Sequence, residues 1–166
     1  DTIKYRKTGA MTEQEKYGME QLSEYLEMQI RIKDGRIKRY KEQMDSDFLY
    51  YFAWAGKDLF KEHYMVGKYK ELRQILKEAE SPEAVQDYLQ RERGKCLEKL
   101  VDGEIYTHYS EDIFNLAHSY KTECRQQLIR DYNGFGQLLS MKSPRKEVKA
   151  RTGPETMKKK SNGLKM

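Results

Sequence analysis

Residues 12–44, TEQEKYGMEQLSEYLEMQIRIKDGRIKRYKEQM, decide the fold class of this chain of 166 residues. The stretch opens with a capping box, in which the Thr12 hydroxyl accepts a hydrogen bond from the third helical amide and Glu15 reaches back. Apolar side chains then recur at steps of three, four or seven, the spacing of one helix face. They are Met19, Leu22, Leu26, Ile30, Ile37, Tyr40 and Met44. We therefore predict a long amphipathic helix.

A β-hairpin is the competing interpretation of residues 30–38. Asp34-Gly35 is a common two-residue turn, and hairpin pairing would place Ile32 opposite Ile37. The strands would be short and would find no sheet partner elsewhere in the chain, and an isolated hairpin is only marginally stable. The helical pattern also continues through the glycine, so we favour a helix that can bend at Gly35.

Two further helices are expected before residue 80. Ser46 or Asp47 can cap the first of them, which we expect to end near Gly67. Another apolar pattern follows over residues 69–79. A helix-turn-helix arrangement over residues 58–76 is an alternative use of this pair, because the second helix carries several lysines and arginines.

The remaining helices have clear starts. Ser81-Pro82-Glu83 begins one, because serine caps helices, proline suits the first helical position and an acid favours the positive end of the helix dipole. We expect this helix to end at Gly103. Ser110 begins a helix that we expect to end at Asn133-Gly134, with a short element after it.

These patterns predict an all-α fold, an irregular bundle of about five helices. We divide the chain into a basic N-terminal arm over residues 1–11, a helical domain over residues 12–142 and a basic tail over residues 143–166, which we expect to be disordered. The chain has 37% hydrophobic and 36% charged residues. No apolar run approaches the length that crosses a membrane, so we expect no membrane contact. Its two cysteines indicate no disulfide framework, and we expect a reducing, cytoplasmic location.

The positive charge is concentrated in the tail. The net charge is +5, and residues 143–166 carry eight basic and two acidic residues. Such a tail can neutralise phosphates of nucleic acid, DNA or RNA, without sequence specificity. A second basic run lies at residues 31–41. The candidate nucleic-acid-binding residues are Arg145, Lys146, Lys149, Arg151, Lys158, Lys159, Lys160, Arg36, Lys38 and Arg39. A solvated tail and a solvated helix face are the simpler interpretations of the two runs.

The segment FLYYFAWA at residues 48–55 is the most apolar part of the chain. On a helix it covers every face, so we expect it in the core, with a partner-binding surface as the alternative. Tyr51 and Trp54 are the anchors that we would assign to a protein interface.

The residues capable of catalysis form no recognised constellation. The three histidines and two cysteines show no zinc-ligand spacing, so we expect no metal and no cofactor. A nucleophilic pair of Cys96 or Cys124 with His108 or His118 has no sequence signature, and both cysteines fall at core positions, where a thiol is usually inert. We therefore expect no enzymatic activity.

Two functional hypotheses follow. The first is a non-enzymatic helical binding protein, an accessory subunit that contacts a protein partner and nucleic-acid backbone. The second is a pure protein-interaction module, an inhibitor or adaptor that uses the aromatic helix over residues 48–64. The sequence does not determine the oligomeric state.

Overall fold

A computed structural model describes residues 10–101 and 108–144 of the chain. Within these ranges it contains four α-helices and no β-strand. They are α1 (Glu13–Ser46), α2 (Phe48–Glu78), α3 (Pro82–Val101) and α4 (Asp112–Leu139). The all-α prediction is confirmed, but the expected number of about five helices is wrong.

Three of the four described helices start where the capping residues predicted, whereas α4 starts after Glu111, not Ser110, and has no side-chain cap hydrogen bond. The Thr12 hydroxyl accepts from the backbone N–H of Glu15 at 3.1 Å, and the Thr12 N–H donates to the Glu15 carboxylate at 2.8 Å. Asp47 is the single residue between α1 and α2, and its carboxylate accepts from the N–H of Tyr50. The Ser81 hydroxyl caps α3 in the same manner.

The hairpin interpretation of residues 30–38 is wrong, because α1 passes through Gly35 as continuous helix. Ile30 and Ile37 are both buried on the same face. A hairpin could not bury both against α2, and the tertiary packing outweighs the roughly 1 kcal/mol that a glycine costs inside a helix.

Two expected helix ends are also wrong. The helix α2 continues through Gly67, which excludes the helix-turn-helix over residues 58–76, and α4 continues past Gly134 to Leu139. Each glycine lies beside residues that are buried in the core, Val66 in α2 and Phe135 in α4. Burial of Val66 and Phe135 offsets the free-energy cost of the neighbouring glycine in the helix. A sequence pattern does not reveal this burial.

The helices pack as two helical pairs, α1 with α2 and α3 with α4. Pairs of charged residues show that α1 and α2 are antiparallel, because Glu27 contacts Arg73 whereas Asp34 contacts Lys70. The helix α4 packs on both α1 and α2 and runs parallel to α2. One shared core joins all four helices, and its fully buried side chains include Leu22, Leu26, Leu72, Leu89 and Leu128.

The bundle is closed at one end by the meeting of α1 and α4. A Cβ atom on Gly18 would overlap the backbone carbonyl of Leu139. The absence of a side chain at Gly18 therefore allows the two helix backbones to approach. The Gln14 side chain donates to the Met141 carbonyl at 2.9 Å just beyond this contact.

Candidate protein interface

The start of α2 is exposed. Phe48, Leu49, Tyr50, Phe52 and Trp54 are all half or more exposed to solvent. The expectation that this segment belongs to the core is therefore wrong, whereas the alternative of an exposed surface remains. Ala55 is buried, so the neighbouring part of α2 is covered on one side.

The start of α4 also exposes large apolar side chains. Ile113, Phe114 and Leu116 are between 48% and 55% exposed. The helices α2 and α4 begin at the same level of the bundle, because Lys61 contacts Glu123 and Tyr69 contacts Asp131, both 62 residues apart in the sequence. We call the eight residues the open end: Phe48, Leu49, Tyr50, Phe52, Trp54, Ile113, Phe114 and Leu116.

The open end continues the face that forms the core elsewhere in the bundle. Trp54 lies 18 residues before Leu72, five full turns, so both side chains leave α2 in the same direction. Leu72 is 0% exposed, whereas Trp54 is 72% exposed. In α4 the same spacing separates Phe114, 55% exposed, from Tyr132, 3% exposed. The sequence therefore provides a core-type face that the described part of the chain leaves uncovered.

The helices α2 and α4 extend further along the bundle than the described part of α3. Near the closed end, the Gln86 side chain of α3 donates to the Gly136 carbonyl of α4 at 3.2 Å. From that contact α3 rises about 22 Å to Val101, whereas α4 extends about 36 Å to Asp112. The starts of α2 and α4 therefore lie roughly 14 Å beyond Val101, the last described residue of α3.

The two anchors expected from the sequence differ in exposure. Tyr51 is half-buried, and its ring meets Tyr50 edge to face at a centroid distance of 5.0 Å. Trp54 is largely exposed and packs against Tyr50 with ring centroids 6.1 Å apart. Trp54 is therefore the better interface candidate. Sequence reasoning missed Phe114, because a sequence pattern does not show which apolar side chains stay exposed.

The candidate nucleic-acid-binding residues of α1 divide into two groups. Arg36 donates to the carboxylate of Glu62 on α2 at 3.0 Å, so its guanidinium already has an ion-pair partner within the protein. Lys38 and Arg39 are exposed, and the Arg39 guanidinium lies over the Tyr40 ring at 5.5 Å. The other candidates all lie in the tail, outside the described residues: Arg145, Lys146, Lys149, Arg151, Lys158, Lys159 and Lys160.

A polar groove of about 460 Å³ lies between α1, α2 and α4. Glu62 accepts from both Lys33 and Arg36, and its side chain and that of Lys33 are each 12% exposed. Burial opposes ionisation of Glu62, but the hydrogen bonds from Arg36 and Lys33 outweigh it and lower its pKa below the ordinary 4.5. The groove therefore holds a satisfied ion cluster that joins the helices.

A second shared carboxylate lies further along the same groove. Glu123 on α4 accepts from Lys61 at 2.9 Å and from Lys57 at 3.2 Å, both on α2. These hydrogen bonds lower the pKa of Glu123 and raise that of Lys61. Both shifts stabilise the charged forms, so these groups act as ion-pair partners rather than as proton donors or acceptors near neutral pH.

The geometry around the cysteines and histidines does not favour nucleophilic catalysis. Burial raises the pKa of the Cys124 thiol to about 11, and its sulfur lies 4.0 Å from the Lys61 carbonyl. Burial also raises the pKa of Cys96. His118 is buried with its ring edge against Tyr109. In the part of the chain that the structure covers, no group of three potential metal-binding side chains converges.

Comparisons with known proteins found no match to this chain. Neither the known protein families nor the curated proteins and solved structures that were compared contain a match to this chain. None of the four described helices combines the length and apolarity needed to span a bilayer.

Proposed function

We propose that this chain is a non-enzymatic binding protein that recognises a protein partner through its open end. The observation that carries the proposal is the exposure of Trp54 and Phe114 on faces that are fully buried further along the same helices. A cluster of exposed apolar side chains, such as the five at the start of α2, marks an interaction site on a folded protein. Exposed aromatic side chains supply most of the binding energy at such sites.

The absence of charged side chains from residues 48–55 supports the binding of a protein partner that excludes water from this surface. Residues 48–55 carry no ionisable side chain other than the two tyrosines. On a surface that contacts only water, such apolar side chains would not stabilise the protein. Trp54 at the centre, with Tyr50 beside it, provides an anchor that can fill a pocket.

Contact with nucleic-acid backbone is a second candidate function. Lys38 and Arg39 support it, because both lie on the solvent face of α1 and neither makes an ion pair with a described carboxylate. Arg36 does not contribute freely, because Glu62 binds it. The basic residues of the tail would add most of the phosphate contacts.

Affinity capture from a lysate of the source cells, with and without nuclease, tests the proposal. We expect the full chain to retain a protein after nuclease treatment, and Trp54→Glu to lose it. Ile32→Glu is the matched control, because Ile32 is an exposed apolar residue on α1, away from the open end. Capture that survives Trp54→Glu, or that disappears with nuclease alone, contradicts the proposed protein interface.

Contact with nucleic-acid backbone is tested by a separate binding measurement. Binding of the full chain to duplex DNA and to single-stranded RNA is compared at two salt concentrations, with and without residues 143–166. We expect affinity to fall with salt and the salt dependence to become weaker without the tail. No binding at low salt eliminates this candidate.

A further inference from the structure

We infer that Asp47 is a hinge at which α1 and α2 join into one helix over residues 13–78, so that two copies of the chain exchange their α1 helices. In the exchanged dimer, α1 of each copy packs on α2 and α4 of the other copy. This exchange goes beyond the proposed protein interface, because it depends on the connection between two helices and not on the open end. Two observations carry it: the phase of the buried side chains and the backbone at Asp47.

The buried faces of α1 and α2 are in phase across Asp47. Ile37 and Met44 are buried in α1, and Ala55 and Val66 are buried in α2. On one continuous helix, which turns about 100° per residue, these four side chains would lie within about 40° of one another. Such a helix would therefore carry a single apolar face that runs through both halves of the present hairpin.

Only the backbone of Asp47 separates the two arrangements. Its N–H donates to the Gln43 carbonyl at 3.1 Å, and its carbonyl accepts from the Tyr51 N–H at 3.0 Å, which are the bonds of an uninterrupted helix. Its φ of −154° and ψ of 90° are extended, so the chain reverses direction at this one residue. With helical dihedrals at Asp47, the amides of residues 48–50 would bond to the carbonyls of residues 44–46.

The Asp47 side chain stabilises the hairpin. Its carboxylate accepts from the Tyr50 N–H at 3.2 Å and so caps α2. In one continuous helix the Tyr50 amide would bond to the Ser46 carbonyl, and this cap would be lost. Aspartate is also a poor residue for a helix interior. Replacement of Asp47 by a good helix former therefore shifts the balance towards the exchanged dimer.

A second copy completes the open arrangement. An isolated chain with a continuous helix would separate α1 from the core and uncover Leu22 and Leu72, which are 0% exposed in the hairpin. In a dimer of two antiparallel long helices, each α1 recovers the same contacts from the other copy, including the ion pair of Lys33 with Glu62. Exchange of an identical element between two copies is a low-cost route to a dimer.

Asp47→Ala tests the hinge through the mass of the protein. The unaltered full chain and the variant are refolded from urea at concentrations from about 1 μM to about 1 mM, and light scattering measures their mass. We expect the fraction near twice 19.8 kDa to rise with concentration. Two caps are involved in each dimer, so Asp47→Ala should raise the association constant about tenfold or more. Asp47→Asn retains a capping side chain and should match the unaltered chain.

Thr12→Ala is the matched control, because it removes the capping hydroxyl of α1 at the far end of that helix from the hinge. This variant should be less stable than the unaltered chain without forming more dimer. Equal dimerisation of Thr12→Ala and Asp47→Ala would attribute the dimer to general destabilisation, and it would contradict the role of Asp47.

A distance within one chain identifies the exchange. Glu20 and Lys77 line the same groove between α1 and α2 in the hairpin, whereas a continuous helix separates them by about 85 Å. The double variant Glu20→Cys with Lys77→Cys is labelled with a donor and an acceptor dye while Cys96 and Cys124 stay buried. It is then refolded with an excess of unlabelled chain, so energy transfer reports single chains. We expect transfer in the monomer fraction and its loss in the dimer fraction.

Two results overturn the inference. If the unaltered chain and Asp47→Ala both stay at 19.8 kDa, the helices do not exchange. A dimer that retains energy transfer within each chain uses another surface. Circular dichroism establishes that Asp47→Ala is helical; if it is not, the mass and the energy transfer of the unaltered chain refolded at about 1 mM decide alone.

Discussion

The hydroxyl of Tyr69 on α2 donates a 2.5 Å hydrogen bond to Asp131 on α4. Tyr69 is buried, and Gln127 donates to the other oxygen of the same carboxylate at 2.8 Å. Burial, together with the hydrogen bond to Asp131, raises the pKa of Tyr69 far above its ordinary value, so the hydroxyl keeps its proton. This bond fixes the relative height of α2 and α4, and with it the position of the open end.

Tyr69→Phe is expected to lower the free energy of unfolding by about 1.5–3 kcal/mol, the range for a hydrogen bond to a charged group. The ring packing of Tyr69 on Phe135 is retained in the variant, so the loss reports the hydroxyl. Urea unfolding followed by circular dichroism measures it. Tyr64→Phe is the control, because the Tyr64 hydroxyl makes no hydrogen bond within the described residues. Equal stability of the two variants contradicts the role of the Tyr69 bond.

Gly18→Ala is expected to destabilise the protein by about 1–3 kcal/mol, the usual cost of forcing atoms into a packed contact. The new Cβ overlaps the Leu139 carbonyl, which belongs to backbone and cannot rotate away. Gly35→Ala is the matched control, because no atom outside its own helix lies within 4 Å of the new Cβ. Alanine at that position should stabilise α1 by about 0.5–1 kcal/mol. Thermal unfolding of the two variants should shift in opposite directions.

The stability of the protein is expected to fall in acid partly through Glu62. Its pKa in the folded state lies below the ordinary 4.5, so its stabilising effect is complete above about pH 4.5 and is lost as the pH falls through the folded value. Glu62→Gln should flatten the dependence of the unfolding free energy on pH below about 4.5. Glu42→Gln is the control, because Glu42 is exposed and forms no ion pair among the described residues.

Cys96 and Cys124 are expected to react with a thiol reagent only after unfolding. Both side chains are buried, and the raised pKa of Cys124, about 11, leaves a thiolate fraction about 100-fold smaller than at an ordinary cysteine. An aromatic disulfide reagent at pH 8, added with increasing urea, measures the rate for both thiols. Rapid modification of the native chain would show that this part of the core opens readily.

Local signals in the sequence predicted where three of the four described helices begin. Thr12 with Glu15, Asp47 and Ser81 each place an oxygen where the first free amides of a helix need one, and all three caps are present. The buried stripe of α1 also follows the predicted spacing. These features depend on neighbouring residues only, and a single sequence contains them.

Signals that depend on distant parts of the chain were not visible. Gly67 and Gly134 resembled helix ends, because the packing that carries the helix through them comes from other helices. The aromatic segment resembled core, because its apolar pattern does not show whether another helix covers it. The ion cluster around Glu62 was missed for the same reason, since Lys33 and Glu62 are 29 residues apart.

Asp47 is the entire connection between two helices of 34 and 31 residues, which bears on how the chain folds. A link of one residue brings the two helices together with almost no loss of loop entropy. Their contacts can then form one after another, starting beside Asp47 and ending at the far ends of the helices. Chains dominated by such near-neighbour contacts fold fast. During synthesis this pair emerges before α3 and α4, so it can serve as the template on which those two helices assemble.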